Sequence, residues 1–196
     1  MRANMSNPRS GAILALLIWV LWVPMMVKAQ QIKIETTAEG DLITVMASAE
    51  LQVDPRTVWN VISDYDHLAE FIPDMRSSRV IRRDGDQLLV EQVGFFGVLF
   101  LHRHVEVKLA VAESPPARIV ARAVAGDFRE FDGSYEVENL PSGVVRLTYS
   151  GRLVPGFPIP PFIGSIVVRS VLAKQFTAMV NEISRRDALL RRSTPP

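Results

Sequence analysis

The chain has 196 residues, a formal net charge of +1 and no cysteine. That length allows one domain with a sizeable core, and the missing cysteines exclude disulfides, thiolate nucleophiles and cysteine metal sites. Aromatic residues are only 8% of the chain, and with the near-neutral charge this speaks against a nucleic-acid partner, which needs a basic face and stacking platforms.

Residues 1–29 read as a leader. Arg2 and Arg9 form a basic start, Ala12 to Met26 is apolar, and Val27-Lys28-Ala29 offers small residues at the −3 and −1 positions of a cleavage site. The expected location is therefore exported, in the periplasm. The rival is a membrane anchor through residues 12–26, although that run is short of the ~20 residues a comfortable span needs. The leader carries Arg2, Arg9 and Lys28 and no acid, so its removal takes the net charge from +1 to −2.

Residues 30–41 read as a flexible polar lead-in, and residues 42–190 as one domain, followed by a basic tail at 191–196. Leu42 to Val53 alternates as a strand, with Ile43, Val45, Ala47, Ala49 and Leu51 on one face. Asp54 is a good helix N-cap and Pro55 suits the first helical position. Val58, Trp59 and Ile62 follow at helical spacing, and a second short helix through Tyr65, Leu68, Phe71 and Ile72 stops at Pro73. Arg76 to Arg83 and Gln87 to Val93 form a hairpin across Asp84-Gly85, and Gly94-Phe95-Phe96-Gly97 reads as a bend or bulge.

Val98 to Glu113 alternates, with Val105, Val107, Leu109 and Val111 opposite His104, Glu106 and Lys108. Strands at Arg118 to Val124, Phe128 to Glu138 and Val144 to Val154 complete the run, the last two joined by a Ser142-Gly143 turn. The apolar, proline-rich Pro155–Gly164 then leads into a long helix to about Leu190. Its expected buried stripe contains Ile163, Ile166, Val167, Ser170, Val171, Phe176, Met179, Val180 and Ile183.

Asp64-Tyr65, Leu68 and Phe71-Ile72-Pro73, then Gly126, Phe128, Phe131, Gly133 and Tyr135, then the long helix, resemble the SRPBCC, or START-like, superfamily. The resemblance covers about residues 42–190 and is nearest to the polyketide cyclase/dehydrase and coenzyme Q-binding START-domain branch. It implies an α+β helix-grip fold: a curved antiparallel sheet of about seven strands wrapped around the C-terminal helix, with two short helices after the first strand. The strand order and the alternating faces lead to the same architecture.

Candidate chemistry is sparse. His102 and His104 share a strand face with Glu106 and Lys108, so they read as solvated rather than as a metal pair, and no metal ligand set is expected. His67 reads as a surface or capping group. Asp64 and Asp66 read as one turn acid and one exposed acid, and Glu130 and Asp132 as outward. No nucleophile, base and orienting group coincide, and no phosphate loop is present. Ser170 reads as bonding the carbonyl one turn back, with a pocket-facing role as the alternative.

The expected cavity lining is Tyr65, Leu68, Phe71, Val107, Leu109, Phe131, Tyr135, Leu147, Tyr149, Ile166 and Ser170. Phe157, Ile159, Phe162 and Ile163 read either as a plug or as a lid and membrane-touching lip, with Gly156 and Gly164 as flexible ends. The expected function is a carrier for a hydrophobic small molecule (lipid, isoprenoid or quinone-like), without a cofactor and with transient membrane contact. The alternative is a cyclase/dehydrase-type enzyme working through Tyr135, Tyr149 and Arg122. A third reading, an interaction module, has the leader and the negative mature charge against it.

Overall fold

The computed structural model describes residues 31–97, 103–141, 143–159 and 163–193. The leader, His102, Ser142 and Phe162, with what was expected of each, lie outside the described residues.

The architecture is α+β. Strands β1 (Lys33–Glu39) and β2 (Leu42–Leu51) form a hairpin. Helix α1 (Pro55–Ile62), a 3-10 turn (Tyr65–His67) and the short α2 (Leu68–Phe71) carry the chain to the far edge of the sheet. From there β3 (Met75–Asp84), β4 (Gln87–Phe96), β5 (Arg103–Ser114), β6 (Arg118–Gly126), β7 (Phe128–Asn139) and β8 (Val145–Pro155) meander back, and β8 pairs with β2. The result is one open antiparallel sheet in the order β1-β2-β8-β7-β6-β5-β4-β3. Helix α3 (Gly164–Ser193) packs on β1, β2, α1 and α2.

The expected elements recur in order, with three corrections. Residues 33–39, expected to be a flexible lead-in, form β1 and make eight strands where about seven were expected. Their apolar side chains are few, but a strand needs only a backbone partner and one anchored face, here Ile32 and Ile34 against the core. Gly94 to Phe96 is not a bend, because β4 stays paired with β5 through Phe96. Ile166, expected in the buried stripe of α3, is 63% exposed. The helix turns Val167, Val168, Val171 and Leu172 inward instead.

Local chemistry sets the junctions. The Asp54 carboxylate caps α1 by accepting from the Arg56 N–H at 2.8 Å. Gly126, at φ 120°, turns β6 into β7 so tightly that a Cβ would lie 2.2 Å from the Glu106 carbonyl oxygen. Asp127 then accepts from the Glu106 N–H at 2.8 Å and from the Gly156 N–H at 2.8 Å, stitching β5, β7 and the end of β8 together. Gly156, expected to be a flexible end, is in fact a close-packing position: a Cβ there would lie 2.5 Å from the Asp127 carbonyl oxygen.

Polar contacts fasten the C-terminal half of α3. Arg186 reaches Asp64 at 2.7 Å and Glu182 at 2.7 Å, and Arg185 also bonds Glu182 at 2.7 Å. Asp187 accepts from the Asp54 N–H at 2.8 Å, and Arg191 bonds both Asp187 at 2.5 Å and the Gln52 carbonyl at 3.2 Å. The Arg185 hydrogen bond, against the opposing effect of burial, and the Arg186 hydrogen bond hold the Glu182 carboxyl at about 2. Partial burial opposes ionisation of Asp64, but His67 and Arg186 outweigh it and keep that carboxyl below its ordinary range.

Both carboxyls have folded values below their unfolded ones. They therefore stabilise the fold above the unfolded value, and that contribution is lost as pH falls through the folded value. For Glu182 the window runs from about 4.5 down to about 2. Circular dichroism at fixed urea should show stability falling through that window, and Glu182→Gln should flatten the slope there. Independently, Gly126→Ala should cost about 2–4 kcal/mol, read as a lower urea midpoint at unchanged slope.

Candidate functional site

The register of the sheet builds a trough on its inner face. Gly151 of β8 lies beside Gly133 of β7, which lies beside Ala121 of β6. This row of minimal side chains is flanked by a taller row, Tyr149–Tyr135–Ile119, and by Leu153–Phe131 on the other side. Side chains two residues apart share a face, so small residues in register leave a groove that α3 roofs. Tyr149 leans over the groove: a Cβ on Gly151 would lie 2.7 Å from its hydroxyl, and one on Gly133 would lie 3.2 Å away.

The space between sheet and helix is a two-lobed cavity. One lobe, about 140 Å³, runs under the 3-10 turn and α2 and is lined by Tyr65, Leu68, Leu109, Tyr135 and Tyr149, with Met179 of α3 above. The other, about 160 Å³, runs toward the β4–β5 end past Phe96, Val107 and Phe128, with Val168 and Val171 above. Phe131, Tyr149, Leu172, Met75, Gln92 and Gln175 border both lobes.

Of the expected lining, Tyr65, Leu68, Leu109, Phe131, Tyr135 and Tyr149 meet at the first lobe and Val107 at the second. Leu147 is fully buried core away from either lobe. Phe71 lies under the Arg186 guanidinium, 5.7 Å from its ring centroid, and borders neither lobe. Ile166 points to solvent because the helix phase runs through Val167 and Val168, and Ser170 is half-buried without reaching the cavity.

Phe157 packs against Phe96 at 5.8 Å and Phe128 at 6.2 Å, with the Arg103 guanidinium 4.7 Å from its ring centroid. It joins the aromatic group beside the second lobe through Phe96 and Phe128, without bordering the lobe itself. Ile159 rests on the core beside Gly164, and Ile163 is half-buried.

The polar candidates resolve clearly. Asp66 accepts from the Val80 N–H at 2.8 Å and ties the 3-10 turn to β3. His67 meets Asp64 at 2.6 Å on the surface, and that carboxylate raises the imidazole above its ordinary range. His104 is exposed and packs edge-on to Phe95 at 5.9 Å. Glu130 is exposed, and Asp132 bonds Arg122 at 2.7 Å on the outer face, so Arg122 cannot serve the cavity. Among the described residues, no three His, Asp or Glu side chains converge on a metal position.

Three groups escaped the sequence reading. Gln92 occupies an inward position of β4, in parity with Leu88 and Val90, and Gln175 shares a helix face with Leu172 and Met179. A polar residue at an inward position was the available signal. Glu113 follows Leu109 and Val111 in the same inward parity and sits near Tyr65. Neither the Tyr65 hydroxyl nor one Glu113 oxygen meets hydrogen-bond geometry with any neighbour, yet the carboxylate is close enough to act on the phenol.

All three tyrosines of the chain are therefore cavity groups. Burial, then Glu113, pushes Tyr65 far above the ordinary phenol range. Burial, then Tyr149, does the same to Tyr135, and burial raises Tyr149 to about 12. The Tyr135 and Tyr149 rings are paired across β7 and β8 with centroids 5.0 Å apart. At neutral pH the set offers phenols, amides and apolar surface, which suits recognition of an uncharged amphiphile better than proton abstraction.

Residues 51–180 match the family model described as polyketide cyclase / dehydrase and lipid transport. No curated protein matches the sequence. Among solved structures, the Zhui aromatase/cyclase from Streptomyces sp. R1128 is similar at TM-score 0.63 and 13% identity, over 78% of this chain and 97% of that one. The STAR-related lipid transfer protein from Xanthomonas axonopodis is similar at TM-score 0.60 and 15% identity, over 78% and 93%. The human StarD13 lipid transfer and protein localization domain is similar at TM-score 0.60 and 19% identity, over 79% and 85%. These likenesses show the fold.

Raised phenol values mean that the tyrosines favour the folded state below the unfolded value of about 10 and oppose it as pH climbs further. Ultraviolet titration should find no phenolate forming near pH ~10 in the native protein. Ionisation should come only with alkaline unfolding, in one cooperative step. A tyrosine titrating freely in the folded state would contradict the described burial.

Proposed function

This chain belongs to the polyketide cyclase / dehydrase and lipid transport family, and on that premise we propose that it carries a hydrophobic small molecule between its sheet and α3. The observation that carries this reading is the two-lobed cavity, whose walls are apolar and whose polar lining is almost wholly uncharged. A ligand burying on the order of 300 Å² of apolar surface there gains roughly 7 kcal/mol, before the cost of its immobilisation. An isoprenoid, quinone-like or single-chain lipid suits such a space. The lipid-transfer neighbours support the reading at the level of fold.

The rival is a cyclase-type enzyme, in keeping with the aromatase/cyclase neighbour. It needs a group that exchanges protons near neutral pH inside the cavity. Arg122, one of its three expected groups, lies outside, and Tyr135 and Tyr149 are both held protonated. The carrier is therefore the better reading.

Export is part of the proposal and rests on the leader pattern of residues 1–29. Among the described residues no helix is long and apolar enough to cross a membrane. Loading through transient membrane contact at the Pro155–Gly164 loop completes it, and rests on the apolar side chains of that loop. Mass measurement of the N-terminus in cells should find the chain starting after Ala29; an intact leader would overturn cleavage.

Native mass spectrometry of the protein purified from its own host should reveal a co-purifying neutral lipid. Leu172 borders both lobes, so Leu172→Trp should fill the space and lower occupancy about tenfold or more, with the fold checked by circular dichroism. A protein with no co-purifying lipid, and a Trp variant that behaves like the parent, would sink the carrier reading.

A further inference from the structure

Two glutamines mark the waist of the cavity. Gln92 of β4 and Gln175 of α3 each border both lobes, from opposite walls: one from the sheet, one from the helix. Their neighbours at the waist are apolar or aromatic: Met75, Phe131, Leu172 and Tyr149. Gln92 donates from Nε2 to the Ser78 hydroxyl at 3.4 Å, a long bond that leaves its carbonyl oxygen and second N–H unused. Gln175 has no hydrogen-bond partner among the described residues. An amide facing an apolar space is costly unless water or a ligand pairs with it. A leucine at either position would keep the alternation of β4 or the stripe of α3 without that cost.

Charge is absent from the waist. Apart from the tyrosines, Asp74 is the one acidic or basic side chain bordering the two lobes, and it belongs to the α2–β3 turn, beside the second lobe alone. An ionised carboxylate or phosphate would find no cation inside. The first lobe ends under Leu68 and Tyr65, whose hydroxyl lies toward Glu113, and the second ends against Phe96 and Phe128.

We propose that the cavity selects an uncharged ligand with its hydrogen-bonding group, a carbonyl or hydroxyl, at mid-length between two apolar arms. Gln92 and Gln175 hold that group at the waist, and each lobe takes one arm. The two lobes total about 300 Å³, so the part of a ligand they hold is compact, of a single chain or a few rings, rather than a two-chain phospholipid. This inference rests on the carrier reading and specifies its ligand class.

The test uses three probes of matched length: dipentyl ketone, undecane and decanoic acid. Each displaces a neutral fluorescent phenylnaphthylamine from the whole protein at neutral pH. The parent protein should bind the ketone about tenfold more tightly than undecane, and decanoate should bind more weakly than the ketone. Gln92→Leu and Gln175→Leu should each bring ketone and undecane to within about twofold of each other while retaining undecane. Gln175→Met, close in shape, provides a milder version should a leucine variant fold poorly.

A parent protein that prefers undecane or decanoate, or glutamine variants that keep the ketone preference, would overturn the proposal and leave the carrier reading standing. Failure of all three probes, with the dye also unbound, would overturn both.

Discussion

The cavity exists because α3 is fastened at one end rather than along its length. Arg186 joins Asp64 to Glu182, and Asp187 accepts from the backbone of Asp54, so the C-terminal half of the helix is bolted to the start of α1 and the 3-10 turn. Over β1 and β2 the helix lies in contact with the sheet. Where the sheet curls on through β7 to β4, the helix no longer follows it. A helix is straight on this scale and a twisted sheet is not, so a fixed end and a curling floor must leave a wedge. Of the acids singled out in the sequence, Asp64 serves this fastening, Asp66 ties the 3-10 turn to β3 and Asp132 pairs with Arg122 on the outer face, so no acid–base set emerges from them.

The floor of the wedge is shaped by register rather than by any single side chain. Gly151, Gly133 and Ala121 fall into line only because β6, β7 and β8 pair as they do. A slip of one residue would turn Tyr149 and Tyr135 out to solvent and put Arg152 and Asp132 over the groove. The tight corner at Gly126 and Asp127, tied to Glu106 and Gly156, fixes where β7 begins and so protects that alignment.

Much of this was legible in the sequence. Alternation identified β2, β5, β7 and β8 and their inward faces, and so brought Tyr135, Tyr149, Phe131, Leu109 and Val107 to the cavity. Asp54-Pro55 marked the start of α1. What was not legible has physical reasons. Residues 33–39 lack the apolar density of an internal strand because an edge strand is held mainly by its neighbour's backbone. Ile166 was misplaced because a few degrees of helix phase decide which of adjacent valines and isoleucines turns inward, and the partner surface sets that phase. Gln92, Gln175 and Glu113 were passed over because a search for apolar lining discards the polar residues that break its pattern. Those interruptions held the information about ligand chemistry.

Along the Gly151–Gly133–Ala121 row, the wall between cavity and outer surface is little more than one layer of peptide groups. Elsewhere a ligand would press on side chains, which can rotate out of the way. At Gly133 and Ala121 no long side chain of the floor stands between the cavity and the amides that hold neighbouring strands together. On the proposed function, a molecule held at that point would bear on the scaffold of the sheet as well as on its lining.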